Sequence, residues 1–350
     1  MSKIWEPIRV GNMQWPHRLV MAPMTRDRAD ANGAPNALNA EYYGQRATMA
    51  LSISEGTQPN ADGQGYLLTP GMHDEAHVAG WRKVSEAVHA AGGHLFVQLM
   101  HVGRVAHPEN TPHHRQPVAP SAVKPSGQMF TFKGMLDLPE PRALTSDEVQ
   151  ATIQDFRRAA KLAVQAGADG VEVHGANGYL VQQFLASNAN QRTDQWGGSM
   201  ENRVRFGVEV ARAIAEEIGP ERVGFRISPG NTYNDIQEQD VHALYGALVS
   251  ELAKLKLAYL HVMHFGDDVL LKDLRARWPN ALIVNKPGAD FAARAQLVEE
   301  GLADAASFGT MSLANPDLVA RLRQDAKLNT PDPKSFYGGD ARGYTDYPTL

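Results

Sequence analysis

Cysteine is absent from all 350 residues. Its absence excludes disulfides, thiolate nucleophiles, cysteine-ligated zinc and iron–sulfur clusters. Excess positive charge is missing too: 34 Lys and Arg stand against 39 Asp and Glu, a formal net charge of −5. That balance argues against a basic face for nucleic acid or an anionic membrane. A small anionic ligand would need only a few local donors. No apolar run approaches the ~18 residues of a membrane-spanning helix. The opening stretch, MSKIWEPIRVGN, carries charge and proline early and lacks the apolar core of a signal peptide, so a cytoplasmic location is expected. No low-complexity or Pro/Gly/Ser-rich linker divides the chain, which favours one domain over residues 1–350.

What is present is a repeat of short apolar runs. Eight begin near Leu19, Ala50, His94, Asp169, Arg222, Leu257, Ala281 and Asp304. Each is nearly continuously apolar, as strands covered on both faces should be. Between them, residues 75–91, 146–166, 200–218, 240–256 and 290–300 repeat apolar residues at helical spacing. Gly92, Gly167, Gly219 and Gly301 each stand between a helical pattern and the next strand, where a left-handed residue closes a helix. Strand, helix, glycine, strand implies parallel βαβ units, and eight of them suggest an α/β fold of the (β/α)8 TIM-barrel type. An open doubly wound sheet is the alternative, but no G-x-G-x-x-G follows the first strand. Residues 1–17 read as a hairpin capping the barrel bottom. Residues 101–144 lack any period, follow the third strand and read as a lid.

Barrel sites form at the C-terminal ends of strands. The polar residues there are Thr25, Gly56–Thr57, Gln98, His174 with Asn177 and Tyr179, Arg226, His261 with His264, Lys286 and Thr310. The densest group is His174-Gly-Ala-Asn177-Gly-Tyr179. A neutral imidazole and an amide can grip one carbonyl oxygen, and a phenol can deliver a proton to a carbanion. An ordinary βα-loop with a satisfied histidine explains the same residues. Arg226 could instead be a structural partner of Glu172, and Gln98 a core amide. His101, His107, His113 and His114 lack helical ligand spacing, so no metal is expected there. Arg192 and Asp194 read as a salt-bridged turn, with Ser199 capping the next helix. Asn315-Pro316-Asp317 reads as N-cap, Pro at N1 and an acidic first turn.

The stretches RLVMAPMTR, HLFVQLMHVGR, GVEVHGANGYLVQQFL, RTDQWGGSMENRVRF, GFRISP, ANPDL and GYTDYP occur in this order along nearly the whole chain. In them the chain resembles the Old Yellow Enzyme family. The resemblance implies FMN as cofactor, NAD(P)H as reductant, and a small-molecule substrate, an enone, nitroalkene or similar, whose activated C=C bond is reduced by hydride transfer from flavin N5. It implies that Pro23, Met24, Thr25, Gly56, Gln98, Arg226, Gly288, Gly309 and Thr310 surround the cofactor. His174 and Asn177 would hold the substrate oxygen, Tyr179 would donate the proton, and Met100 and Tyr66 would line the substrate side. A homodimer is compatible with it.

Three positions depart from the family pattern. Met100 stands where tryptophan is usual, which implies a larger and softer pocket. Lys286-Pro287-Gly288 replaces a glycine-rich pair after strand seven, and proline supplies no N–H. Thr310 stands where an arginine usually follows the strand-eight glycine, so a bidentate phosphate partner is gone. FMN is therefore expected to bind weakly. The alternative function is a barrel with weakened or lost FMN binding that serves as a ligand-binding or non-redox protein.

Overall fold

Eight parallel strands close a barrel in the computed structural model, which describes residues 2–350. The barrel strands are β1 (Leu19–Met21), β2 (Leu51–Ile53), β3 (Leu95–Leu99), β4 (Gly170–Gly175), β5 (Val223–Ile227), β6 (Tyr259–Met263), β7 (Ala281–Asn285) and β8 (Ala305–Phe308). They pair in sequence order, and the Gly170–Phe96 register between β4 and β3 belongs to the closed ring. All eight expected apolar runs are strands. The main crossover helices are α1 (Ala37–Gln45), α2 (Glu75–Ala90), α3 (Ser146–Gln165), α5 (Met200–Ile218), α6 (Val241–Ala253), α7 (Asp268–Arg277) and α8 (Phe291–Glu299). The short α4 (Leu180–Leu185) follows β4 directly.

Helix ends follow local chemistry. Thr145 and Glu148 form a reciprocal capping box at α3, and the Ser199 side chain accepts from Asn202 N–H at α5. Such caps contribute about 1 kcal/mol each. Gly92, Gly167, Gly219 and Gly301 all have positive φ, as helix closure requires. One helix start differs from the sequence reading. The helix after β8 opens at once as α9 (Thr310–Ala314), and α10 (Leu318–Arg323) follows with Asp317 at its N-cap. Asn315 instead breaks the two: its Nδ2 donates to the Met311 carbonyl and its Oδ1 accepts from Asn329 N–H. The side chain prefers these carbonyl and amide partners to capping.

The hairpin Ile8–Val10 and Met13–Trp15 pairs antiparallel, Ile8 opposite Trp15. Its Val10, Met13 and Trp15 pack with Val20, Leu51, Phe96, Tyr259 and Ile283, residues of the barrel strands. Burying such side chains stabilises by roughly 1.5–3 kcal/mol each. The barrel is thus plugged at this end, and its ligand-facing end is the other. The segment at 101–144 contains a hairpin that the sequence reading did not anticipate, Gln128–Thr131 against Gly134–Asp137. Among the described residues no helix is long and apolar enough to cross a membrane.

Candidate active site

The site is organised by the turn that ends β4. Asn177 and Gly178 both have positive φ, 58° and 77°. A Cβ on Gly178 would sit 2.5 Å from the Tyr233 carbonyl oxygen, so only glycine fits the turn. The loop after β5 grips Asn177 on three sides. Its N–H donates to Ser228 Oγ (2.9 Å), its carbonyl accepts from Asn234 Nδ2 (2.8 Å), and its Oδ1 accepts from Asn231 Nδ2 (3.0 Å). With Oδ1 engaged, the Asn177 amide nitrogen is left as the donor for a ligand.

His174 lies on β4 and is buried. Its Nδ1 is 3.2 Å from Gln98 Nε2 on the neighbouring β3. With Nδ1 accepting from that amide, Nε2 carries the proton. Burial, then the charge of Arg226 and then His261, holds the imidazole pKa well below its ordinary value. His174 is therefore a neutral donor near pH 7. Tyr179 follows the turn at the N-cap of α4, and its hydroxyl lies 2.8 Å from that of Tyr66. Burial, reinforced by Tyr66, raises the Tyr179 pKa well above the ordinary phenol value, so the group keeps its proton.

Beneath these residues the barrel holds a charged layer. Gln98 Nε2 donates to Glu172 Oε1 (2.8 Å), and His261 Nδ1 lies 2.9 Å from Glu172 Oε2. Burial alone would raise the Glu172 carboxyl; His261, Arg226 and Gln98 more than offset it and hold the pKa below the usual range. Arg226, on β5 and 4 % exposed, forms no ion pair with Glu172 or any other described residue. Its Nε is buried without a hydrogen-bond partner. A buried, unpartnered guanidinium is costly. A ligand presenting acceptors or developing negative charge at this point satisfies it.

These groups surround a cavity of about 250 Å³ at the C-terminal mouth of the barrel. Pro23, Met24, Thr25, Gly56, Gln98 and Met100 line it, as do His174, Asn177, Tyr179, Arg226 and Thr310. Gly288, Gly309 and Tyr66, also anticipated, lie outside that lining; Tyr66 stands behind Tyr179. Leu313, Phe336 and Tyr337 line the cavity and were not anticipated. Their signal in the sequence is the aromatic pair Phe336-Tyr337 set directly before Gly338–Gly339. A larger cavity of about 690 Å³ lies at the opposite end, between the hairpin and the strand starts. It contains none of the groups just described.

The loop histidines do not gather into a metal site. His101 Nδ1 accepts from Gly103 N–H, and burial lowers its pKa to about 3. His107 and His113 each accept from a nearby backbone N–H. The histidines that do converge are His73 and His77, with Asp74. There, His77 Nδ1 accepts from His73 N–H and its Nε2 bonds the Asn32 carbonyl, so neither nitrogen is free for an ion. Arg192 and Asp194 pair at 2.5 Å as the expected salt-bridged turn.

A family model described as NADH:flavin oxidoreductase / NADH oxidase matches residues 3–329. The chain belongs to this flavin oxidoreductase family. It is 43 % identical to a probable flavin mononucleotide-dependent alkene reductase of Leishmania infantum, covering 99 % of this chain and 97 % of that one. It is 39 % identical to 12-oxophytodienoate reductase 1 of Oryza sativa subsp. japonica, over 98 % and 92 % of the two chains. Among solved structures, morphinone reductase in complex with tetrahydroNAD superposes with a TM-score of 0.96 at 43 % identity, covering 100 % and 98 %. The Old Yellow Enzyme homologue of Zymomonas mobilis superposes at 0.96 with 34 % identity, covering 99 % and 100 %.

In this flavin oxidoreductase Gln98 and Arg226 bring polar groups to the cavity, alongside apolar side chains such as Met24, Met100 and Leu313. The phosphate corner, after β7 and β8, is poorer. Pairing of these strands ends at Val284–Ala306. Pro287 has no N–H to continue the ladder. The Ser307 carbonyl accepts instead from Asn285 Nδ2 (3.1 Å) and Arg294 Nη1 (2.8 Å). Arg294 Nε binds the Ala289 carbonyl at 3.1 Å, and the guanidinium lies over the Phe308 ring. The arginine at this corner is thus committed to protein carbonyls. Half-buried Lys286 is the cation of the β7 loop.

Proposed function

We propose that this flavin oxidoreductase is an FMN-dependent ene-reductase that uses NAD(P)H and reduces the activated C=C bond of a small enone, nitroalkene or similar compound. The observation that carries the reading is the convergence of two neutral donors, His174 and Asn177, with the Tyr179 phenol on one cavity floored by an unpartnered Arg226. Bound FMN supplies the hydride. Gln98 and Arg226 would hold the electron-rich edge of the flavin ring, and Thr25 with the backbone of Pro23, Met24 and Gly56 would flank it.

The chain's own residues then act on the substrate. His174 and Asn177 donate to its carbonyl or nitro oxygen. That oxygen gains negative charge as the β-carbon is reduced, so fixed donors hold it more strongly in the transition state than in the ground state. Tyr179 delivers its hydroxyl proton to the α-carbon. Met100, 4 % exposed and flexible, forms an adaptable wall.

The test is spectroscopic. Protein reconstituted with FMN should absorb near ~450 nm as protein-bound flavins do. NADH or NADPH should bleach it without oxygen, and cyclohexenone should restore the colour. Reconstituted protein that holds no flavin would refute the proposal in favour of a ligand-binding barrel.

A further inference from the structure

A proton donor must be recharged after every turnover. Tyr179 is 7 % exposed and packs among Met100, Val102, Val105 and Leu138. Bulk water is poorly placed to reach its oxygen. Tyr66 Oη, at 2.8 Å, is well placed. The rings meet edge to face, centroids 6.3 Å apart at 86°. Tyr66 belongs to the segment after β2 and is only half-buried. Its carbonyl accepts from Gln64 Nε2 (3.3 Å) and Thr69 Oγ1 (3.4 Å), local bonds that fix the turn carrying the ring. Either phenol oxygen can donate in the bond between them.

We propose that Tyr66 and Tyr179 form a two-phenol proton relay in which Tyr66 is the member that exchanges with solvent. The inference rests on the role proposed above for Tyr179. In one transition state the Tyr179 O–H bond breaks as the enolate electron pair forms the new C–H bond, and the Tyr66 O–H proton moves along the existing hydrogen bond to the Tyr179 oxygen, so two protons are in flight and the charge is left on Tyr66. Tyr66 then takes a proton from water or buffer. The net transfer is one proton from solvent to the product carbon. Burial raises both phenols, so both are protonated at rest and neither drains the other. The relay moves the transient charge from the buried residue to the half-buried one, nearer to bulk water. Tyr66 therefore acts through Tyr179 as a positioning and recharging residue, beyond lining the substrate side.

The experiment uses FMN-loaded wild type, Tyr66→Phe, Tyr66→His and Tyr179→Phe, with cyclohexenone and nitrostyrene as probes, in mixtures of light and heavy water. Tyr66→Phe keeps the ring and should melt like wild type. Its enone turnover should fall roughly tenfold or more, within the range of a positioned proton transfer, while the first step with nitrostyrene is nearly unchanged. The rate in wild type should curve with deuterium fraction, as two protons in flight require, and become linear in Tyr66→Phe. Tyr66→His, whose imidazole can pass a proton, should recover part of the enone rate. A linear dependence in wild type, or equal losses with both probes in Tyr66→Phe, overturns the relay. If Tyr179→Phe is slow and Tyr66→Phe matches wild type, the relay alone fails. If Tyr179→Phe keeps full enone turnover, the role of Tyr179 itself fails.

Discussion

The phosphate corner makes a quantitative prediction about flavin choice. Thr310 is exposed at the rim of the cavity and opens a helix of only five residues. Space beside it is open: a Cβ on Gly309 would touch nothing nearer than Met24 Sδ at 3.6 Å. An arginine introduced at 310 therefore has room to meet a phosphate. Arg294 cannot swing out to do the same without giving up its bonds to the Ser307 and Ala289 carbonyls, each worth ~1.5–3 kcal/mol as a hydrogen bond to a charged group. A hydrogen bond to a charged partner contributes ~1.5–3 kcal/mol, roughly a 10- to 150-fold change in dissociation constant. Thr310→Arg should tighten FMN by that factor and leave riboflavin, which has no phosphate, unchanged. The assay is titration of the flavin-free protein with each flavin, followed by quenching of flavin fluorescence. Two results refute the reasoning. One is parallel tightening of both flavins. The other is a wild type that already prefers FMN over riboflavin by about 4 kcal/mol, the strength of two good charged bonds.

Two further predictions concern the substrate side. His174→Ala and Asn177→Ala should each weaken binding of phenols, which mimic an enolate, by roughly tenfold for one lost hydrogen bond, with flavin reduction by NADPH less affected; phenol difference spectra measure this. Tyr179→Phe should lose ~10²–10⁴-fold in reoxidation by enones but keep the first step with nitroalkenes, whose nitronate is stable enough to leave unprotonated; stopped-flow reoxidation separates the two.

The barrel was legible because parallel strands covered on both faces carry their burial in composition, and because four of the crossover helices are closed by a left-handed glycine, Gly92, Gly167, Gly219 or Gly301. The His174–Asn177–Tyr179 cluster was legible because three polar side chains and two glycines crowd one strand end. The state of Arg226 was not. Register decides it: Arg226 sits opposite His174, while Glu172 sits opposite Gly224 and turns to Gln98 and His261. Composition cannot distinguish that from an Arg226–Glu172 pair. Phe336 and Tyr337 were missed for a related reason. The C-terminal segment reaches the mouth through long-range bonds, with Arg26 donating to the Phe336 and Gly343 carbonyls and Arg28 to that of Ser335. No local period encodes such contacts. The Gln128–Asp137 hairpin left no local trace either: burial alternates along Gln128–Thr131, but Phe130 stands on the exposed face, so the residues themselves do not alternate polar and apolar.

The last prediction lies beside the site, at Asp27, two residues beyond Thr25. Asp27 is 8 % exposed, has a left-handed backbone at φ 56°, and leaves Oδ1 buried without a partner. Its N–H shares Glu55 Oε2 with the N–H of Arg26. Burial, then the charge of Glu55, pushes the Asp27 pKa up to about 8, against the smaller opposing pull of Arg28 and Arg26. The unfolded chain releases this proton near pH ~4. Between those two values the folded state holds a proton that the unfolded state has lost, so stability falls as pH rises, by at most ~1.4 kcal/mol per pH unit. Below ~4 both states are protonated, and above ~8 both are charged, so the dependence levels off at each end. Asparagine keeps the shape, tolerates the left-handed backbone and carries no charge. Asp27→Asn should therefore raise Tm by an amount that is small near pH ~4, grows toward ~8 and then stays constant. Melting curves for the two proteins across that range measure it. A gain independent of pH would mean that Asp27 ionises normally in the folded protein, paired with Arg26 or Arg28 after all.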